Sequence, residues 1–183
     1  MKQVLKSLLI LFTLTTIAGL RVAHAAKPVD STDDDARAAL SALYAKDPAA
    51  RALGEKAKGI LVFPQLEKVA VLVGVLGGNG AMFADGKIAG HYRADGLLAG
   101  LEAGGQTFAY AVFLMSDKAL DNLRKTKGFE IGADPNIVVV NAGVGAQITT
   151  STTQADVYSY VFNQSGLMAG VALQGLKITP LDR

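Results

Sequence analysis

The sequence contains no cysteine, and this absence removes several kinds of site at once. Without a thiol there is no disulfide framework, no cysteine nucleophile, no thiolate metal site and no lipid attached to an N-terminal cysteine after processing. Histidine is nearly as scarce, since the chain has only His24 and His91. So few imidazoles cannot build a multi-histidine metal centre, and we expect neither a metal nor a cofactor.

A strong excess of either charge is also missing. The chain carries a formal net charge of +2, from 18 basic and 16 acidic residues. Removal of residues 1–25 would take away Lys2, Lys6 and Arg21 but no acidic residue, which lowers the net charge to −1. A protein that binds nucleic acid through bulk electrostatics needs a clear positive excess. We therefore expect no nucleic-acid partner.

The N-terminus has the layout of a secretory signal peptide. Two lysines precede an apolar stretch from Leu8 to Leu20, and Ala23-His24-Ala25 places small residues at alternate positions. The alternative, a transmembrane anchor, needs about 20 apolar residues, and the uncharged stretch here is shorter. We expect residues 1–25 to be removed by cleavage near Ala25, and the protein to be periplasmic or secreted.

The remaining chain is predicted to form a flexible lead-in, residues 26–35, and a single domain, residues 36–183. Capping residues indicate where its helices begin, because Ser, Thr and Asp side chains accept hydrogen bonds from the first free N–H groups. The predicted caps are Ser31 or Thr32 for a first helix, Asp47 for a second that starts at Pro48 and ends at Gly59, and Ser116 for an internal third.

From Ile60 onward, short apolar segments alternate with glycine-containing turns. Asp85-Gly86, between two such segments, is a typical two-residue hairpin loop. Glycines that recur inside strands favour bends and close backbone approach. The predicted fold class is therefore α+β, with a strongly curved antiparallel sheet or a barrel-like β body made of many short strands, N-terminal helices and one internal helix.

A glycine cluster within VGVLGGNGAMF, residues 73–83, raises the question of a phosphate site. It lacks the Gly-Lys-Ser/Thr ending of a P-loop and the G-x-G-x-x-G spacing of a dinucleotide site. A strand follows it, whereas both nucleotide motifs require the start of a helix. We expect no nucleotide partner and interpret these glycines as shaping the sheet.

Five segments in order resemble the SYLF domain, a lipid-binding module. They are AKGILVFP at 57–64, the glycine cluster at 74–80, DGKIAGHY at 85–92, GLEAGGQTFAYAVFLMSDKAL at 100–120 and VYSYVFNQSGLMAGVALQGLKIT at 157–179. The resemblance implies phospholipid binding. The chain is similar to the bacterial, exported branch, because residues around His91-Tyr92-Arg93 replace the tryptophan-serine-x-proline segment of eukaryotic members. This departure argues against phosphoinositide specificity and actin binding, and an anionic phospholipid or membrane surface is the expected partner.

Two basic segments are candidates for contact with such a surface. In the first, cationic side chains lie beside an aromatic residue near the end of the internal helix, and in the second they frame the helix after Pro48. The candidate lipid-binding residues are Arg124, Lys125, Lys127 and Phe129 in the first segment, and Lys56 and Lys58 in the second. Both segments also have a purely structural interpretation, and lipid could instead enter an apolar cavity inside the curved sheet.

The sequence thus predicts a non-enzymatic, exported phospholipid-binding protein with no catalytic residues. The alternative is a structural or envelope-stress interaction protein without a specific lipid ligand. A weaker alternative is a hydrolase with His91 as its base, but no Gly-x-Ser-x-Gly elbow accompanies this histidine.

Overall fold

The computed structural model describes residues 29–125, 129–131, 137–141 and 155–181. Within these residues three helices accompany five strands. The helices are α1 (Val29–Lys46), α2 (Pro48–Gly54) and α3 (Asp117–Lys125), and the strands are β1 (Gly59–Ala84), β2 (Lys87–Leu114), β3 (Phe129–Ile131), β4 (Ile137–Asn141) and β5 (Val157–Pro180). The α+β class predicted from sequence is confirmed, as is the strong curvature, since the sheet is curled but not closed.

The sheet is built from three very long strands. Its hydrogen-bonded order is β1-β2-β5-β3 with all neighbours antiparallel, and β4 pairs with the first part of β5 in parallel. The expectation of many short strands is wrong, because β1, β2 and β5 continue through the glycines that the sequence suggested as strand ends. Backbone pairing persists there, interrupted only by register shifts such as the one between Val71 and Val73.

Each long strand bends near its middle, which folds the sheet into two arms. Between Val71 and Val73, β1 has one residue, Leu72, whereas the facing part of β2 has three, residues 100–102. Leu72 adopts a positive φ of 65°, a conformation uncommon for a non-glycine residue. We call β1 residues 59–70, with their partners on β2 and β5, the first arm, and β1 residues 73–84 with their partners the second arm.

Glycines in the second arm of β1 allow the two arms to pack closely. A Cβ atom added to Gly78 would overlap the carbonyl oxygen of Gln65, and one added to Gly80 would lie 2.5 Å from the carbonyl oxygen of Val62. A real Cβ does not approach an oxygen so closely, so only glycine fits at these positions. The glycine cluster therefore shapes the sheet, although it lies within a continuous strand and not at the end of one.

Two hydrophobic clusters hold the arms and helices together. The inner cluster lies between the arms and includes Phe63, Met82 and Tyr110, together with Leu120 and Leu123 of α3. The outer cluster lies between the sheet and the first two helices, and there Ala36, Ala39 and Leu43 of α1 pack against strand residues of both arms, including Val62, Phe83 and Phe113. The helical spacing of these α1 residues was visible in the sequence.

Some of the predicted helix caps and turns are confirmed, and others are wrong. Asp47 caps α2, because its Oδ1 accepts hydrogen bonds from Ala49 N at 2.9 Å and Ala50 N at 3.0 Å. Ser116 caps α3 by accepting from Ala119 N at 3.2 Å, and Asp85 and Gly86, both with positive φ, form the two-residue hairpin loop. The predicted cap at Ser31 or Thr32 is wrong, since α1 begins at Val29 and takes in residues 29–35 of the expected lead-in. The second helix is also shorter than predicted and ends at Gly54, not Gly59.

Candidate functional site

Among the residues that the structure describes, an unusual surface lies at the bend between the two arms. Eight large apolar side chains there are 58 to 89% exposed, although they belong to the hydrogen-bonded sheet. We call this surface the apolar corner, and it consists of Val69, Val71, Leu72, Val73, Val75, Leu97, Leu101 and Leu167.

Strand register places these side chains next to one another. Val75 pairs with Leu97 on β2, and Val69 pairs with Gly105, which in turn pairs with Leu167 on β5. Neighbouring strands lie about 4.8 Å apart, so the side chains form one contiguous surface. The surface is convex, because it lies on the outside of the bend while Ala70 and Leu98 point into the inner cluster.

The apolar corner carries no charge on β1 or β2. Within residues 68–76 of β1 and 96–106 of β2 the only ionisable residues are Lys68 and Glu102, and their side chains are 12% and 8% exposed. Lys68 Nζ donates to Glu102 Oε1 at 2.6 Å, while Glu102 Oε2 is buried without a hydrogen-bond partner among the described residues. A buried ion pair therefore lies on the inner side of the bend, beneath an uncharged outer surface.

The helices explain why this surface is bare. On the first arm and the hairpin end of the second, outward side chains such as Phe113 and Phe83 are covered by α1 and α2. Near its N-terminal end α1 is tied to β2, where His91 Nε2 and Asp33 Oδ1 lie 2.7 Å apart. None of the described helices buries the outward side chains of the corner, which remain 58 to 89% exposed.

A groove adjoins the apolar corner along the line where the two arms of β1 meet. It has a volume of about 710 Å³ and runs from Thr32 and Asp35 of α1 to Val69 and Val75 of the corner. The charged residues that line it are three carboxylates, from Asp35, Glu67 and Asp95, and one guanidinium, from Arg93. Arg93 Nε donates to both carboxylate oxygens of Asp95, at 2.9 and 3.0 Å. Among the described residues, the lining of the groove therefore has more carboxylates than cationic groups.

The described basic residues that were predicted as lipid ligands do not belong to the apolar corner. Lys58 N donates to Leu114 O at 2.8 Å, at the start of β1. Ten residues of strand, 59–68, separate Lys58 from Val69 of the corner, which corresponds to roughly 35 Å when extended. Lys56 is exposed in the turn that follows α2.

The fold brings together only part of the first basic segment, which contains Arg124, Lys125, Lys127 and Phe129. Arg124 and Lys125 are exposed at the end of α3, where Lys125 Nζ donates to Asp121 at 2.7 Å. This ion pair holds the pKa of Asp121 below its usual value. Burial raises the pKa of the Tyr92 phenol, and the nearby positive charge of Arg124 offsets part of this rise. Lys127 is outside the described residues, and Phe129 begins β3, where its backbone pairs with Ile178.

His91, the histidine considered as a possible base, lies in the contact between α1 and β2. Its side chain is buried, its Nε2 is engaged by Asp33, and the pair joins α1 to the sheet. Across the described ranges, no three His, Asp or Glu side chains converge as metal ligands would. The inside of the curl, where a lipid cavity was one of the expectations, is occupied by the inner cluster, and the groove lies outside it.

Sequence reasoning missed the apolar corner, although a signal for it was present. The run VAVLVGVL at 69–76 is apolar at every position except the glycine, which is typical of a strand buried on both faces. In a sheet whose helices cover only part of one face, the same run must leave one side exposed. The absence of polar residues at alternate positions could have drawn attention to this segment.

Comparison with known proteins supports the family suggested by the sequence. Residues 95–182 match a family model named Ysc84 and described as Las17-binding protein actin regulator. The match confirms the SYLF resemblance over this part of the chain, which includes Leu97, Leu101 and Leu167 of the apolar corner. No curated protein matches the chain. Among the residues that the structure describes, no helix is long and apolar enough to cross a membrane.

Proposed function

Starting from the membership of residues 95–182 in the SYLF family, we propose that this protein binds phospholipid membranes by inserting its apolar corner. The family is associated with binding to lipids or actin regulators, and the corner is the observation that favours lipid here. Large exposed apolar surfaces on soluble proteins mark contacts with membranes or other proteins. A convex, uncharged surface can insert into the fluid interior of a bilayer, whereas it would match the flat, preformed surface of a protein partner less well.

The expected binding free energies indicate that the corner contributes more to membrane binding than the basic residues do. Burial of one exposed Val or Leu side chain is worth about 1.5 kcal/mol or more, so insertion of three contributes roughly 5 kcal/mol. A lysine or arginine near an anionic membrane contributes about 1 kcal/mol, and salt weakens this contribution. We therefore assign insertion to the corner, while Arg124, Lys125, Lys56 and Lys58 supply a weaker preference for anionic surfaces.

The decisive experiment is vesicle flotation with a charged corner. In the Leu72→Asp/Leu101→Asp variant, two carboxylates would have to enter the apolar part of the bilayer, so we expect binding to fall by at least about 30-fold, which corresponds to about 2 kcal/mol. The matched control is Ala89→Asp, an exposed position on β2 outside the corner. Binding of the parent protein should persist at high salt, because the corner is uncharged.

Two results would overturn the proposal. One is unchanged flotation of the double variant while circular dichroism shows it folded. The other is failure of the parent protein to float with vesicles of any composition. If that second result came with a dimer that the double variant abolishes, the corner would instead be a protein contact, as the structural or envelope-stress alternative requires.

We further propose that the protein is exported and acts without chemistry. Support for export comes from the signal-like N-terminus, and support for a non-enzymatic role from the engaged state of His91. Expression with the native N-terminus should yield a periplasmic or secreted protein whose first residue is Ala26 or Lys27. Retention in the cytoplasm with Met1 intact would contradict export, and a hydrolytic activity that His91→Ala abolishes would contradict the binding-only role.

A further inference from the structure

The groove beside the apolar corner suggests which lipid headgroup the protein prefers. Because Val69 and Val75 belong to both surfaces, a lipid whose acyl chains contact the corner would place its headgroup at the groove. The inference therefore rests on the proposed membrane binding and adds headgroup recognition to it. A volume of about 710 Å³ lies within the range of sites that bind small organic groups.

The charges of the groove are arranged for a ligand with charges of both signs. Asp35 approaches from α1, Glu67 from the first arm of β1, and the pair of Asp95 and Arg93 from β2. A purely anionic headgroup would meet three carboxylates, and like charges at short distance repel. A headgroup with an ammonium group and a phosphate would meet carboxylates for the first and a guanidinium for the second, and guanidinium groups form strong charge-assisted hydrogen bonds with phosphate.

Glycine keeps the groove open beside Arg93. Gly77 has an ordinary backbone conformation, and a Cβ atom added to it would lie 3.4 Å from both Arg93 Nη2 and Asp95 Oδ1. That is ordinary van der Waals contact, so the fold itself does not require glycine at this position. A larger side chain there would occupy the space next to the guanidinium, which is the space a phosphate needs.

We propose that the groove binds the headgroup of a phospholipid that carries a primary ammonium group, with the ammonium against Asp35 and Glu67 and the phosphate against Arg93. The occupant is a lipid of the ethanolamine type, and its apolar chains continue onto the corner. Charge complementarity carries this assignment. The basic residues outside the groove supply a weak preference for anionic surfaces. This preference is independent of headgroup binding in the groove.

The first test measures the headgroup without a bilayer. Glycerophosphoethanolamine, added to the purified full chain, should shift the backbone amide NMR signals of Gly77 and Asn79 at lower concentration than glycerophosphocholine or glycerol phosphate. Gly77→Val should abolish the shift of Asn79, and Asp35→Asn/Glu67→Gln should weaken it severalfold. The control is Asp34→Asn, which removes an exposed carboxylate of α1 that does not line the groove.

The second test uses vesicles and separates this proposal from the broader one. Parent protein should bind phosphatidylcholine vesicles severalfold more tightly when phosphatidylethanolamine is included, and the two groove variants should lose this gain while still binding phosphatidylcholine. Equal shifts by the three soluble headgroups, or an equal loss with Asp34→Asn, would overturn the headgroup proposal alone. Loss of all vesicle binding in Leu72→Asp/Leu101→Asp would support the proposed function. It would not change the NMR result, which is measured without a bilayer.

Discussion

The same three strands meet two different environments along their length. At the helix-covered end, outward side chains such as Phe113 lie under α1 and α2 and are buried. At the corner, outward side chains of the same chemical kind, such as Leu101, are exposed. Strand sequence alone does not distinguish the two ends. The difference is made by the helices, and it separates residues that stabilise the fold from residues that remain available for binding.

Truncation at the two ends should therefore have opposite consequences. Phe113 is fully buried, and its ring contacts Tyr44 and Tyr160 at centroid distances of 6.5 and 5.5 Å. Phe113→Ala should lower the free energy of unfolding by about 3 to 5 kcal/mol, whereas Leu101→Ala should change it by less than about 0.5 kcal/mol. Urea denaturation measures both. Comparable losses would show that the corner is packed against something in the native state.

A second prediction concerns the inside of the bend. Lys68→Ala would leave the Glu102 carboxylate buried without its cation, and we expect a loss of about 3 to 5 kcal/mol in the free energy of unfolding. Lys68→Met/Glu102→Leu removes both charges and should recover stability to within about 1 kcal/mol of the parent, since such pairs contribute little net stability. The exposed Lys87→Ala serves as control. A small effect of Lys68→Ala would show that water reaches the carboxylate.

A third prediction tests how the arms are joined. In Gly78→Ala the new methyl group would overlap Gln65 O and lie 2.8 Å from Leu66 Cδ2, so the arms must separate. We expect a loss of about 1 to 3 kcal/mol, as is usual for overpacking. Gly105→Ala is the matched control, because a Cβ atom there meets no other heavy atom within 4 Å. Thermal unfolding of the two variants should differ clearly, and equal melting temperatures would contradict the close contact between the arms.

Local chemistry determined which features could be predicted from the sequence. The Asp85-Gly86 loop and the caps at Asp47 and Ser116 depend on neighbouring residues only, and all three are confirmed. The start of α1 was misplaced, because Thr32 lies in the helix, where its side chain is buried.

Features that depend on distant parts of the chain could not be predicted in the same way. Glycines at 74–80 indicated strand ends, yet they permit one continuous strand to fold back on itself, which no local pattern specifies. Exposure of Val71 and Val73 follows from where α1 lies, and the groove brings together α1, both arms of β1 and Arg93 of β2. The sequence identified basic residues as the site because charge is visible in a sequence and exposure of an apolar side chain is not.

The last and smallest effect is expected from those basic residues. Each charge near an anionic membrane contributes about 1 kcal/mol at most, and Lys125 is already paired with Asp121. Arg124→Ala/Lys125→Ala should therefore weaken binding to anionic vesicles only a few fold at low salt, and not at all at high salt, where charges are screened within about 3 Å. Binding to neutral vesicles should be unchanged. If this variant instead lost binding as completely as Leu72→Asp/Leu101→Asp, the C-terminal end of α3, and not the apolar corner, would be the part of the molecule that holds the membrane.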